Sequence, residues 1–194
     1  MVTKSFILRR KNPYGTMSLC KTERGVRMKI AVIGYSGSGK STLAAALGQK
    51  YGIPVLHLDR VQYLPGWAIR DREDGRAEVA AFMEQPEWVI DGNYTKYHYE
   101  SRLAQADRIY MLLFSRFACL RRVIKRYRQY RGKVRESIAD GCEEKLDREF
   151  IRWVLWGGRR SGARARYRSV RELYPDKVTV IRNQRQLDQV YKNL

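Results

Sequence analysis

Cysteine and histidine are scarce in this sequence. Its 194 residues include 3 cysteines and 2 histidines. The cysteines, Cys20, Cys119 and Cys142, are odd in number and show no paired metal spacing. They indicate reduced thiols of a cytoplasmic protein and argue against a disulfide framework or a zinc site. His57 alternates with apolar neighbours, so we expect it in the core or behind the site rather than in catalysis.

Long apolar runs are also missing. The longest, over residues 109–114, is far shorter than the roughly 20 residues that a membrane-spanning helix needs. No apolar signal-peptide segment follows the basic N-terminus. These absences predict a cytoplasmic protein without a membrane partner. Apolar residues nevertheless make up 44% of the chain, which is enough for one folded domain with a real core.

Acidic side chains are few, because 20 Asp and Glu stand against 39 Lys and Arg, a net charge of +19. That balance predicts anionic partners such as nucleotides, nucleic acid or acidic lipid. Residues 1–27 alone hold seven basic side chains and one acid, without a sustained period. We predict a flexible basic extension over 1–27, or a start codon placed too early, and one domain over 28–194. A nucleic-acid arm and a transit peptide are the functional alternatives for the extension.

One motif of the chain has a specific chemistry. Residues 34–42 fit the phosphate-binding pattern Gly-x-x-x-x-Gly-Lys-Ser/Thr, between an apolar strand at 28–33 and a helix over 43–51. Lys40 is expected to reach the β- and γ-phosphates of ATP, and the Ser41 hydroxyl to bind Mg²⁺. The predicted ATP-binding residues are Gly34, Tyr35, Ser36, Gly37, Ser38, Gly39, Lys40, Ser41 and Thr42.

The remainder of the chain alternates strands with helices. Further strands are predicted over 54–59, 88–91, 108–114 and 177–181, with a loop over 60–72. Helices are predicted over 77–83, 117–127, 143–156 and 187–194. This alternation predicts a three-layer α/β fold, a five-stranded parallel sheet with helices on both faces.

Two aspartates end predicted strands. Asp59 follows the second strand and Asp91 ends the third. Ligands of open parallel sheets bind at the carboxyl ends of the strands, beside the phosphate loop. One aspartate should hold Mg²⁺ through water, and the other should orient an acceptor hydroxyl or act as its base. We assign Mg²⁺ to Asp91 and the acceptor to Asp59; a strand-end cap is the alternative for either.

Arginines form two clusters. Eight basic residues and no acid occupy 121–135, mostly as a solvated helix face. Arg126 is the one we expect on the migrating phosphoryl group. The second cluster, over 159–171, has a glycine at 162, and two more glycines precede it at 157 and 158. It is predicted as a surface loop with weak, non-specific nucleic-acid binding. Trp67 lies in a loop beside the expected substrate cleft, where it would stack on a ring or pin the loop.

Several segments resemble a known family. They are 56–59, Pro-Gly-Trp at 65–67, Trp-Val-Ile-Asp-Gly-Asn-Tyr at 88–94 and Gly-Cys-Glu-Glu-Lys at 141–145. Together they are similar to the adenylate-kinase-related topology-modulation proteins of bacteria. The resemblance implies a P-loop NTPase fold with sheet order 2-3-1-4-5 and ATP bound by residues 34–42. It covers nearly all of residues 28–194.

The resemblance also implies site residues. Adenylate kinases carry an arginine shortly after Asp-Gly that holds the acceptor phosphate; here Asn93 and Tyr94 follow, and Arg102 is the nearest arginine. We predict all three as substrate-binding residues with Asp59 and Trp67. The lid arginines of adenylate kinases match Arg126 and either Arg148 or Arg152.

Together these observations predict a Mg²⁺- and ATP-dependent phosphotransferase acting on a nucleotide or small-molecule acceptor. The alternative is an ATP-switched, DNA-associated regulatory protein that affects DNA topology without small-molecule kinase activity. No Asn-Lys-x-Asp segment for reading guanine is present, so a GTPase is disfavoured. The oligomeric state stays open.

Overall fold

The computed structural model describes residues 27–135 and 137–194. The extension predicted over 1–27 therefore lies outside the described residues, except for its last residue. The strands are β1 (Lys29–Gly34), β2 (Val55–His57), β3 (Tyr63–Leu64), β4 (Ala68–Ile69), β5 (Trp88–Asp91), β6 (Arg108–Leu112) and β7 (Val178–Ile181). The helices are α1 (Lys40–Tyr51), α2 (Leu58–Gln62), α3 (Arg72–Met83), α4 (Tyr99–Gln105), α5 (Arg116–Tyr130), α6 (Arg148–Leu155), α7 (Ser161–Leu173) and α8 (Gln184–Lys192).

Five strands form one parallel sheet in the order β2-β5-β1-β6-β7. Numbered along this sheet alone, that is the order 2-3-1-4-5, so the predicted fold class is confirmed. β1 is central and pairs with β5 on one side and β6 on the other. Its carboxyl end, where the phosphate loop begins, is therefore flanked by the ends of both neighbours. β3 and β4 form a separate antiparallel pair.

Two apolar cores cover the two faces of the sheet. Ala31 and Ile33 of β1 belong to one core, and Ile30 and Val32 belong to the other, since successive strand side chains point to opposite faces. The first core includes side chains from α3, α4 and α7, and the second includes side chains from α1, α5 and α8. Burial on both faces explains why the strands are continuous apolar runs.

Several predicted boundaries are wrong. α3 begins at Arg72 because the Asp71 carboxylate accepts the N–H groups of residues 73 and 74. α6 begins at Arg148, after an Asp147 cap, so residues 143–147 are not helical. The predicted loop over 60–72 contains the end of α2, a β-hairpin and the start of α3.

Besides α2, two helices were not predicted at all. The arginine cluster over 159–171 is mostly helix α7, not a loop, because Tyr167 and Val170 give it a buried face. α4 was missed because its seven residues are too few for a clear apolar period. Within residues 27–135 and 137–194, no helix is both long enough and apolar enough to cross a membrane.

Candidate active site

The phosphate loop joins β1 to α1. Gly34 has φ 140°, and a Cβ there would lie 2.2 Å from the Leu112 carbonyl oxygen, so a side chain cannot fit between the central strands. Gly39 has φ 98° and precedes the first turn of α1. The N-terminus of α1 therefore points its free N–H groups toward the loop. Lys40 donates from Nζ to the Tyr35 carbonyl oxygen at 3.2 Å, across the loop.

Asp91 is buried beside this loop, with 4% of its surface exposed. His57 Nδ1–H donates to its Oδ2 at 3.1 Å. Burial raises the pKa of Asp91, but the His57 hydrogen bond and the Lys40 charge outweigh it and hold the pKa below its usual value. Oδ1 is buried and has no hydrogen-bond partner among the described residues. An ionised carboxylate with one free oxygen, lining the same cleft as the Ser41 hydroxyl, fits a water-mediated Mg²⁺ ligand.

Asn93 braces the start of the phosphate loop. Its Oδ1 accepts the Gly34 N–H at 3.0 Å, and its Nδ2 donates to the Gly34 carbonyl at 2.5 Å. The Gly92 N–H donates to the Val32 carbonyl at 3.0 Å. Asn93 was predicted to bind substrate, and it does line the cleft. Both ends of its amide are used by Gly34, which favours a positioning role, and substrate binding by Asn93 stays a prediction.

Tyr94 contacts Asp59, the residue predicted to bind the phosphate acceptor. Its hydroxyl donates to Asp59 Oδ1 at 2.8 Å. Burial raises the pKa of Tyr94, and the Asp59 charge raises it further, so the tyrosine stays a donor. Asp59 lies in the first turn of α2 rather than at the end of β2, which corrects its predicted position. It remains half-buried in the cleft with Lys40 and Asp91.

Arg102 does not lie in the cleft, so the substrate contact predicted for it is wrong. Its side chain is fully buried, at 0% exposed. Its guanidinium donates to the carbonyls of Tyr97 at 2.8 Å, Gly92 at 3.2 Å and Tyr94 at 2.9 Å. Burial lowers its pKa to about 10. Through these three hydrogen bonds, the buried arginine holds the loop that carries Asn93 and Tyr94.

Trp67 both lines the cleft and pins its loop. Its ring meets Tyr63 edge-on at 5.2 Å and packs against a small cluster that includes Ile138 and Cys142. Lys145 Nζ lies 5.2 Å from the ring centroid. The backbone φ of Trp67 is 68°, which is unusual for a residue with a side chain. A backbone conformation of this kind is stable only where the surrounding packing enforces it. Two of the segments behind the family resemblance, 65–67 and 141–145, thus contact each other.

Arg126 also lines the cleft, but it has a carboxylate partner. Its Nε and Nη2 lie 2.7 Å and 2.5 Å from Glu144 Oε1, and Arg135 Nε lies 2.5 Å from Oε2. Burial lowers the pKa of Arg126, the Arg135 charge lowers it further, and Glu144 opposes both. One buried carboxylate therefore holds two guanidinium groups in this wall of the cleft. The catalytic role of Arg126 stays a prediction.

Two arginines that were not predicted as site residues contact the phosphate loop. Arg122 donates to the Ser38 carbonyl and to the side chain of Gln184, and lies over the Phe114 ring at 4.1 Å. The Arg159 guanidinium carbon lies 3.8 Å from the centroid of the Tyr35 ring, and the side chain donates to the Phe114 carbonyl at 3.0 Å. Both lay inside arginine clusters, so no sequence signal separated them from solvated neighbours. Arg159 belongs to the cluster that was predicted as surface.

One cleft of about 2060 Å³ brings most of the predicted site together. This volume exceeds the several hundred Å³ of an ordinary single-ligand pocket and leaves room for a donor and an acceptor. Gly34, Tyr35 and Ser38 belong to the phosphate loop but do not line the cleft, and neither does Arg102. The predicted residues that line it are Ser36, Gly37, Gly39, Lys40, Ser41, Thr42, Asp59, Trp67, Asp91, Asn93, Tyr94 and Arg126.

No protein-family model matches the chain, and no curated protein matches it. A deoxyadenosine kinase from M. mycoides with bound dATP is similar in structure, with a TM-score of 0.50 and 15% identity over 86% of this chain and 98% of that chain. A shikimate kinase from Acinetobacter baumannii in complex with shikimate has a TM-score of 0.49 and 14% identity over 87% of this chain and 91% of that chain. At these identities the likeness shows the fold alone. The chain shares the three-layer α/β fold of this deoxyadenosine kinase, and the resemblance to topology-modulation proteins stays a prediction.

Proposed function

We propose that this protein is a Mg²⁺- and ATP-dependent phosphotransferase that acts on a nucleotide or another small acceptor. The observation that carries the proposal is the meeting of Lys40, Asp59 and Asp91 in one cleft with the phosphate loop. Two carboxylates with different partners, His57 for Asp91 and Tyr94 for Asp59, suit two different tasks. A protein that binds a nucleotide only as a switch does not need the second carboxylate.

Each residue has a place in phosphoryl transfer. Loop N–H groups and Lys40 bind the ATP phosphates and withdraw charge from them. Tyr94 occupies Asp59 Oδ1, which leaves Oδ2 to accept the proton of an acceptor hydroxyl. The acceptor oxygen then bonds to the γ-phosphorus as the bond to the β–γ bridging oxygen breaks, and ADP leaves. Ser41 and, through water, Asp91 would hold Mg²⁺, which would supply positive charge beside the ATP phosphates.

The acceptor end of the cleft favours a planar and anionic molecule. Tyr63, Trp67 and Tyr94 supply aromatic surface there, and Lys96 and Lys145 supply positive charge. Aromatic rings stack on flat heterocycles, and cations bind phosphate or carboxylate groups. A nucleoside phosphate with a free sugar hydroxyl satisfies both requirements and is our first choice of acceptor class.

A panel of acceptors tests the proposal. Nucleosides, nucleoside monophosphates and hydroxy acids are each mixed with Mg-ATP, and ADP release is followed with mass spectrometry of the product. We expect Lys40→Ala to abolish transfer and Asp59→Asn to lower kcat by about 10²- to 10⁴-fold, the usual contribution of a general base, with ATP affinity retained. The exposed Lys50→Ala is the matched control and should act as wild type. ATP binding without transfer to any acceptor, or full turnover by Lys40→Ala, contradicts the proposal.

A further inference from the structure

Two tryptophans are exposed at the cleft. Trp153 of α6 is 50% exposed, and Trp156 just after α6 is 57% exposed. Both line the cleft beside the phosphate loop. Trp153 is fixed in place, since its Nε1–H donates to Ser36 Oγ at 3.2 Å and Gly157 and Gly158 pack against its ring. Large aromatic rings that stay half in solvent mark interaction sites more often than ordinary surface.

A row of arginines follows these rings along the chain. Arg160 lines the cleft just before α7, and Arg164, Arg168 and Arg171 follow along the helix. Spacings of four, four and three residues place them on one face of α7, and all four are exposed. The row is about 16 Å long at 1.5 Å per residue. Residues 150–171 contain no acidic side chain, so nothing in this segment neutralises the row.

We infer that this surface binds single-stranded nucleic acid. We call it the tryptophan–arginine face, formed by Trp153, Trp156, Arg160, Arg164, Arg168 and Arg171. Single-stranded binding sites combine a positive track for the phosphates with aromatic rings on which unpaired bases stack. A duplex hides the faces of its bases and would use the arginines alone. The acidic surface of a partner protein would likewise pair with the arginines and leave the two indoles without a base to stack on.

The inference does not depend on the proposed function. It requires neither ATP nor phosphoryl transfer, so binding should persist in Lys40→Ala. It differs from the sequence prediction in two respects. The arginines form one helical face rather than a loop, and the adjoining tryptophans select unpaired bases over duplex.

Fluorescence anisotropy with the full chain tests the inference. The probes are a mixed-sequence 12-nucleotide DNA, the RNA of the same sequence, and the DNA duplex, each titrated at several salt concentrations. We expect both single strands to bind more tightly than the duplex at equal salt. The affinity for single strands should fall with salt at a log–log slope of about −0.7 per phosphate contacted. The DNA and RNA arms show which sugar is preferred.

Variants separate stacking from charge. Trp156→Ala should weaken single-strand binding roughly 5- to 150-fold, the loss expected for one stacked base, and leave duplex binding nearly unchanged. Phe117→Ala is the matched control, because Phe117 is 73% exposed and lies outside the cleft. The double change Arg164→Glu with Arg168→Glu should reduce the salt slope by at least about 1.4. The control for charge is the double variant Lys50→Glu with Lys192→Glu, which makes the same change of charge at exposed positions outside the tryptophan–arginine face.

Three outcomes would overturn the inference. The first is no binding of either single strand at low salt. The second is equal affinity for duplex and single strands, which would indicate attraction of charge alone. The third is single-strand binding that Trp156→Ala leaves unchanged, which would place the bases elsewhere. Thermal melts of all variants confirm folding, and the exposure of each substituted side chain makes unfolding an unexpected result.

Discussion

Replacing Asn93 with alanine tests how the phosphate loop is held. The side chain makes two hydrogen bonds, to the N–H and the carbonyl of Gly34. Each is worth about 1 kcal/mol, and each orphaned backbone group costs about 1–3 kcal/mol where water does not replace the partner. Asn93 is half-buried, so we expect a total loss of about 2–4 kcal/mol in the free energy of unfolding. The domain should stay folded, because total stability is typically about 5–15 kcal/mol.

The assay has a thermal and a kinetic part. For a domain of this size, about 2–4 °C of melting temperature is lost per kcal/mol, so Asn93→Ala should melt about 4–16 °C lower. Loosening of Gly34 also lets the loop shift relative to the acceptor, and a shift near 1 Å costs up to about 10²-fold in rate. We expect kcat/KM to fall for ATP and for the acceptor alike.

Asn93→Asp sharpens the comparison. It keeps an acceptor for the Gly34 N–H but places a carboxylate oxygen against the Gly34 carbonyl, so it should be at least as damaging as alanine. Asn193→Ala, at the exposed end of α8, is the matched control and should change neither quantity. If Asn93→Ala melts as wild type and raises only the KM for the acceptor, Asn93 binds substrate and the bracing role is wrong.

Two further predictions concern buried charges. The pKa of Asp91 is lowered by folding, so its carboxylate stabilises the protein above the ordinary aspartate pKa near 4, and that contribution is lost as pH falls through the lower, folded value. Melting curves between pH 2 and 7 should show a steeper acid loss for wild type than for Asp91→Asn; parallel curves would contradict this. Arg102→Met should lower the free energy of unfolding by about 3–5 kcal/mol, since up to three buried carbonyls lose their donor. In denaturant titrations Arg76→Met, whose guanidinium holds a single carbonyl, should cost less, and equal losses would count against the bracing role of Arg102.

The sheet order was predictable because parallel strands are marked by their composition. Buried runs such as 28–33 and 88–91 contain almost no polar side chain until a strand ends. That same rule placed Lys40, Asp59 and Asp91 together, since the carboxyl ends of parallel strands share one edge. What local sequence did not show was α7, because its buried face consists of few residues among many arginines.

Which side chains pair within the site depends on the geometry of the loops, and residue spacing in the sequence does not predict it. Glu144 is 18 residues from Arg126 in sequence, and only the folded chain shows that it holds Arg126 and Arg135 together. Arg102 was predicted in the cleft because it follows Asp91-Gly92 at moderate distance, but the guanidinium turns inward to the carbonyls of its own loop. A buried arginine without a carboxylate partner at hydrogen-bond distance is rare enough that no pattern would have predicted it.

A single short loop joins the two halves of the proposed active site. Asn93 bonds to Gly34 of the phosphate loop, and the next residue, Tyr94, bonds to Asp59. Arg102 holds the carbonyls on both sides of Asn93, so neither contact can move far without the other. Changes in the loop should therefore alter the use of ATP and acceptor together. Changes at Lys40 should act first through ATP, and changes at Asp59 first through the acceptor. That difference in kinetic pattern separates residues that position the site from residues that carry out the reaction.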